Sequence, residues 1–207
     1  IENDPPNWIV ESLLLLGRDN LIELPTDSSH KLPSDPVHVK NLISAPRRNR
    51  DWHDLRLSTR DLEWVREQYT SRTPDIGKSD NKILISRKDA DNRRILNFDQ
   101  LERELEPLGF QSYVLSELDL LEQITLFENA EFVLGVHGAG LTNILFSEDT
   151  KLLEIRPSSK SEWHDFYVMS EQLEFGYDYY EVACAEGEDL VVDIVEIKNK
   201  IEILSTI

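Results

Sequence analysis

At 207 residues, 40% of them hydrophobic, the chain is long enough for one large domain or one and a half small ones. A formal net charge of −18, from 40 acids against 22 bases, excludes the basic face a nucleic-acid binder needs to neutralise phosphates. No apolar run approaches the ~20 residues of a membrane helix, and no basic segment with a following apolar stretch opens the sequence, so neither a transmembrane segment nor a signal peptide is expected. Cys184 is the only cysteine, which leaves no internal disulfide or cysteine-rich metal site and fits a reducing cytosol. Only nine of the bases are lysine. An acid-rich, lysine-poor surface suits a high-salt host and an ordinary acidic cytosolic protein equally. The sequence opens on Ile1 rather than Met, as a piece of a longer protein would.

Residues 1–80 are irregular and hold seven of the nine prolines. Asn7–Leu16 reads as a helix, Leu21–Leu24 and Val37–Ser44 as strands, and the basic stretch Pro46–Asp54 as a loop. Ser58–Tyr69 is a clearer helix, with Ser58 and Asp61 at the N-cap and N3 positions ahead of Leu62, Trp64 and Val65. Thr73–Asp80 carries Pro, Gly and Ser without periodicity and reads as a linker. The expected division is a partial N-terminal region at 1–75 and a second domain at 76–207.

From Lys82 the rhythm is regular. Ile83-Leu84-Ile85 is a short apolar run, and Asn97 caps a helix over Phe98–Leu108 that Gly109 ends. Phe110–Leu115 alternates like a strand, and Ser116 caps a helix over Leu118–Asn129 with Leu120, Leu121, Ile124 and Phe127 on one face. Phe132–Val136 is apolar on both faces, as a central parallel strand should be. A helix from about Ala139, a strand Leu152–Ile155, a helix Trp163–Leu173, a strand Tyr177–Val182 and a helix from about Asp189 to Leu204 complete the order. Strands alternating with ten-residue helices predict an α/β fold: a Rossmann-like parallel sheet with helices on both faces. Ligands of such sheets sit at the carboxyl ends of strands.

Three arginines and a lysine, Arg87, Lys88, Arg93 and Arg94, leave the first of those strand ends in a strongly acidic chain. A planar guanidinium grips phosphate oxygens in pairs, so an anion site is one reading; a solvated loop paired to local acids is the other. After Val136 comes His137-Gly138-Ala139-Gly140-Leu141-Thr142-Asn143. Small residues let a backbone approach a ligand, and a helix starting there turns free N–H groups toward it. The same glycines also serve tight packing, and His137 can be structural. Glu154 interrupts an apolar strand, where it can accept from ribose hydroxyls or pair with Arg156 or an earlier arginine.

Other chemistries fit less well. Gly135, Gly138 and Gly140 lack the G-x-G-x-x-G spacing of a dinucleotide-binding oxidoreductase. No G-x-S-x-G supplies an esterase nucleophile for the His-Gly-Ala-Gly turn. Asp89-Ala90-Asp91 is a D-x-D triplet among competing cations, and the histidines at 30, 38, 53 and 164 show no ligand spacing. The aromatic cluster of Trp163, Phe166, Tyr167, Phe175, Tyr177, Tyr179 and Tyr180 suits core packing for most of its members.

Taken together, Ile85-Ser86-Arg87, Arg93-Arg94-Ile95-Leu96-Asn97, Gly109-Phe110, Glu122-Gln123, Leu126-Phe127, the run His137–Asn143, Phe146 and Glu154-Ile155 resemble glycosyltransferase family 61, often described as capsular polysaccharide biosynthesis proteins. The agreement in order, gaps and placement covers roughly residues 81–157; residues 1–80 match loosely. The resemblance implies a GT-B architecture, of which this chain holds the C-terminal donor-binding half and part of the N-terminal half. It implies inverting transfer from a nucleotide-sugar donor to a glycan or polysaccharide acceptor, with no metal or other cofactor, in the cytoplasm or at the inner face of its membrane. Arg87, Arg93 and Arg94 would neutralise the leaving diphosphate, His137, Gly138, Ala139, Gly140 and Asn143 would cradle it, and Glu154 would hold the ribose. Arg87 and His137 would be the catalytic residues. The larger N-terminal domain of the family, with its His-Trp pair, has only Asn7-Trp8 as a counterpart, and the base an inverting transfer needs is not assigned to any residue. A truncated module that holds a nucleotide sugar without turning it over is the alternative.

Overall fold

A computed structural model of the chain describes Glu11, Leu15 and residues 59–73, 81–160, 162–185 and 187–206. Glu11 and Leu15 are helical; the rest of the helix expected at Asn7–Leu16, both early strands, the loop Pro46–Asp54, Ser58 and most of the linker lie outside the described residues. The chain divides into two compact units, Ile1–Asp54 and Leu55–Ile207. Every element below belongs to the second.

Helix α1 (Thr59–Thr70) buries Leu62. Five strands follow: β1 (Asn81–Ser86), β2 (Phe110–Val114), β3 (Ala130–Val136), β4 (Lys151–Pro157) and β5 (Gly176–Val182). Parallel neighbours require long crossovers, and helices supply most of them: α2 (Phe98–Leu105) after β1, α3 (Leu120–Glu128) after β2 and α4 (Asp165–Gln172) after β4, with α5 (Ile194–Ser205) last. All pairings are parallel, in the order β2-β1-β3-β4-β5. The chain moves outward from β1 to β2 and then returns past β1 to β3. That reversal opens a crevice at the carboxyl ends of β1 and β3, the point where open α/β sheets bind ligands.

Both faces of the sheet are covered. Leu84, Leu134, Val136, Leu153, Ile155, Tyr180 and Val182 share one cluster with Phe98, Leu101 and Leu105 of α2 and Ile197, Ile201 and Leu204 of α5. The alternate residues Ile83, Ile85, Val133 and Leu152 are buried on the opposite face. There Gly135 lies so close to Ile85 and Leu141 that an added methyl would stand 3.2 Å from each. On that face α4 sets Phe166 against His137, with ring centroids 5.0 Å apart, and Tyr167 against Tyr177 at 5.5 Å.

Several element ends differ from the sequence expectation, each for a local reason. Asn97 precedes α2, but its carboxamide makes no cap; it donates to the Val192 carbonyl at 2.9 Å and accepts from the Val192 amide at 3.0 Å. The cap of α3 is Asp119 rather than Ser116, because Glu122 completes a reciprocal pair with it, both hydrogen bonds at 2.8 Å. Helix α5 starts at Ile194 rather than near Asp189, since the Leu190 backbone is bonded both ways to the Arg94–Leu96 segment at 2.8 Å. The helix expected from Ala139 is a 3₁₀ helix spanning Ala139–Phe146. Such long 3₁₀ runs are uncommon because their hydrogen bonds are poorly aligned, and this one is braced from outside. Arg66 of α1 donates to the Leu145 carbonyl at 2.9 Å, and Tyr69 meets Phe146 at 5.5 Å.

Candidate functional site

Arg87 is the first residue beyond β1. Among the described residues its guanidinium donates only to the Asn92 carbonyl, at 3.3 and 3.4 Å. Burial and the like charge of Arg93 pull the Arg87 pKa down from the ordinary arginine value, yet an arginine stays charged. Arg93 has a φ of 55°, a left-handed backbone rare outside glycine and a frequent mark of functional loops. Its Nη1 donates to the His137 carbonyl at 2.7 Å, and its guanidinium lies 5.5 Å from the centre of the Trp163 ring. Its Nε stands 3.8 Å from Glu188. Arg94 turns elsewhere: Nη2 and Nε donate to Asp189 at 2.6 and 3.0 Å, and its amide donates to the same carboxylate at 2.9 Å. Those contacts hold the Asp189 carboxyl below its usual range. Of the three arginines, Arg87 and Arg93 converge on the turn after β3, and Arg94 is tied to the loop before α5.

His137 leaves β3 with its amide donating to Ile155 of β4 at 2.9 Å. Gly138 is extended, and a methyl group there would stand 2.7 Å from Arg87 Nη1, so the missing side chain is the space the guanidinium occupies. Ala139 and Gly140 begin the 3₁₀ helix, where N–H groups lack intrahelical acceptors. The run is therefore not the α-helix whose aligned dipole the sequence expectation relied on; the positive end here is these first amides and the arginines beside them. Asn143 does not open onto this point. Its side chain donates to Gln123 of α3 at 2.9 Å, and Gln123 donates on to the carbonyls of Leu115 and Leu118.

Glu154 has no exposed surface. One carboxylate oxygen is hydrogen-bonded to His137 Nδ1; the other accepts from the Tyr177 hydroxyl at 2.6 Å and from Arg156 Nη2 at 3.2 Å. Burial alone would push its carboxyl up, but the hydrogen bonds from His137 and Tyr177 and the charges of His137 and Arg156 hold it below the ordinary range. The same burial and the Glu154 carboxylate push the Tyr177 hydroxyl far above the usual tyrosine value. In this geometry Glu154 stands behind His137 with both oxygens engaged, and Arg156 is the partner it takes. The ring of His137 rests on Trp163, with centroids 4.4 Å apart.

Beside Arg87 a cavity of about 300 Å³ is lined by Arg87, Lys88, Arg94, Ile95, Leu96, Phe98 and Asp99. Asp89 and Asp91 are exposed on the loop between the arginines. Among the described residues no three His, Cys, Asp or Glu side chains gather into a metal site. Sequence reasoning named Arg156 as one salt-bridge partner for Glu154, did not single out Asp189, and did not separate Trp163 or Tyr177 from the other aromatics. The Glu154–Arg156 spacing of two, which puts both on one face of a strand, was the available signal for the first.

Gly138→Ala is expected to leave stability within ~0.5 kcal/mol, since an extended backbone accepts alanine, while displacing Arg87 and weakening nucleoside diphosphate binding on the order of tenfold. Titration calorimetry beside a thermal melt checks it; a fall in melting temperature would make the glycine structural.

Comparison with known proteins locates this arrangement in a family. The family model described as Glycosyltransferase 61 matches residues 6–153, which includes the N-terminal stretch that resembles the family only loosely. The chain is similar to the EGF domain-specific O-linked N-acetylglucosamine transferase of Xenopus laevis, 37% identical over 73 residues, covering 33% of this chain and 14% of that protein. The mouse protein of the same name is 34% identical over 85 residues, 39% of this chain and 16% of the relative. The rice alpha-1,3-arabinosyltransferase XAT3 is 31% identical over 103 residues, 46% of this chain and 18% of the relative. The chain thus spans less than a fifth of the length of each of these relatives. With the family model matched over more than half of its length, the chain belongs to glycosyltransferase family 61.

Proposed function

We propose that the crevice between β1 and β3 receives the diphosphate of a nucleotide-sugar donor, and that residues 76–207 are the donor-binding domain of a GT-B-type glycosyltransferase, with residues 1–75 contributing to the acceptor side. The observation that carries this reading is the convergence of Arg87 and Arg93 on the Gly138–Gly140 turn in a chain of net charge −18. Burial, and after it the like charge of Arg93, lowers the Arg87 pKa, and an anion between the two guanidiniums and the first 3₁₀ amides relieves their repulsion. The same fixed cations stabilise charge as it develops on a leaving diphosphate. On this reading they do the work a divalent ion does elsewhere, and the transfer is metal-independent and inverting. The acceptor is a glycan or polysaccharide of the capsule or cell surface, and the reaction is cytoplasmic. Among the described residues no helix is long and apolar enough to cross a membrane. The cavity beside Arg87 gives room for the donor beyond its phosphates.

The experiment is a thermal-shift screen of UDP, GDP, CMP and dTDP followed by titration calorimetry. At least one nucleoside diphosphate should bind in the micromolar to millimolar range. At a hundredfold excess over its Kd it should stabilise the fold by about 2.7 kcal/mol. Absence of binding by all of them would sink the reading. A second reading is a module that holds nucleotide sugar without transferring it. It predicts the same binding with no release of sugar from the bound donor.

A further inference from the structure

His137 is held on every side but one. Its amide donates to Ile155, its carbonyl accepts from Arg93 at 2.7 Å, and its ring is stacked on Trp163 and Phe166. Nδ1 faces Glu154 and makes the one side-chain hydrogen bond of His137 among the described residues, which leaves Nε2 without a partner there, and 9% of the side chain remains exposed. Which ring nitrogen carries the proton of a neutral histidine is set by the hydrogen bond the other one makes. Here that bond is decided two strands away.

Tyr177 of β5 and Arg156 of β4 both give their donors to the same oxygen of Glu154. Arg156 is itself almost fully buried and its guanidinium lies 4.5 Å from the centre of the Tyr179 ring, so it keeps that direction. With a cation and a hydroxyl fixed on Oε2, Glu154 is an ionised carboxylate, and its Oε1 can only accept. We propose that Glu154, fixed by Tyr177 and Arg156, is a positioning residue that locks His137 in the Nδ1–H tautomer, so that Nε2 is the nitrogen presented to the ligand. What Nε2 meets rests on the donor-site reading above; the tautomer does not. In the neutral ring Nε2 carries a lone pair, and when the ring gains a proton it carries an N–H aimed outward with its charge balanced by Glu154.

Nitrogen NMR on the full chain with labelled histidine tests this without any substrate. At a pH where the ring is neutral, His137 should give a protonated-type signal at Nδ1 and an unprotonated-type signal at Nε2. The reverse pattern overturns the proposal. Glu154→Gln sharpens it. The amide oxygen takes the Tyr177 and Arg156 donors, the amide NH₂ turns to Nδ1, and the proton should move to Nε2. An unchanged pattern in a folded Glu154→Gln variant also overturns the lock; if that variant does not fold, the wild-type spectrum alone decides. Failure of nucleotide binding together with a protonated Nδ1 would remove the donor-site reading and leave the lock standing. Binding together with a protonated Nε2 would do the opposite.

Discussion

Replacing Arg87 with alanine is expected to weaken nucleoside diphosphate binding by about 10–100-fold, the worth of a charge-assisted contact to phosphate, with almost no change in the melting temperature. The separation of the two effects follows from how little else Arg87 does. Among the described residues it makes no ion pair as close as that of Arg94 with Asp189, and its hydrogen-bond acceptor there is a carbonyl at 3.3 Å or more. Its electrostatic situation in the unliganded fold is unfavourable, so removal costs the scaffold nothing. Arg87→Lys should recover only part of the affinity, because a point charge lacks the planar fork. Arg94→Ala supplies the contrast: it should lower stability by releasing Asp189 and, although Arg94 borders the cavity, weaken nucleotide binding less than Arg87→Ala does because its guanidinium is tied to Asp189. Calorimetry and thermal melts on the three variants check all of this, and equal loss of affinity from Arg87→Ala and Arg94→Ala would contradict the assignment.

Replacing Glu154 with alanine should produce the largest stability effect in the described fold, about 3–5 kcal/mol, because it strands the buried Arg156 without its counter-charge. For a chain of this size that is on the order of a 10 °C fall in melting temperature. The same network sets the acid limit of the fold. Because the Glu154 carboxyl is held below its unfolded value, the stability it contributes is fully present above about pH 4.3 and is lost as pH falls through the lower folded value. Tyr177 acts at the other end. Its hydroxyl is raised when folded, so its contribution holds below about pH 10 and declines as pH rises beyond. Denaturant midpoints across pH, compared between the parent and Tyr177→Phe, measure both ends. A parent whose stability did not fall between pH 5 and 3 would contradict the acid limb.

The parts of the fold legible in the sequence were those set by local periodicity. A strand apolar on both faces at Phe132–Val136 can only be central, and the alternation of such strands with short helices leaves little besides a parallel sheet. The crevice was legible too, because small residues and arginines at strand ends are local features. What the sequence hid was partner choice across long separations. Arg87, Arg93 and Arg94 look alike in the chain, but Asp189, 95 residues on, takes only the last of them. Asn143 and Gly138 lie in one motif, yet Asn143 braces Gln123 on a neighbouring helix. Glu154 was readable as a ribose ligand or a salt-bridge partner, and only the register of β4 against β5 brings Tyr177 within reach beside Arg156. The caps misread at Asn97 and Ser116 have the same origin. A side chain able to cap a helix can equally bond a distant backbone or yield to a better neighbour.

The 3₁₀ run after β3 bears on the thermodynamics of any ligand at the crevice. By itself Ala139–Phe146 is a weakly bonded segment, of the kind that ordinarily orders only when something binds. Here Arg66 and Tyr69 of α1 hold its far end, Gln123 of α3 holds its middle, and Ser147 just beyond donates to the Phe127 carbonyl at 2.7 Å. The entropy of arranging the phosphate-facing amides is thus spent when the chain folds, and an incoming anion meets a surface already in its final shape. Binding should then proceed without the large unfavourable entropy of loop ordering. Helix α1, the element that precedes β1, becomes one of the determinants of affinity.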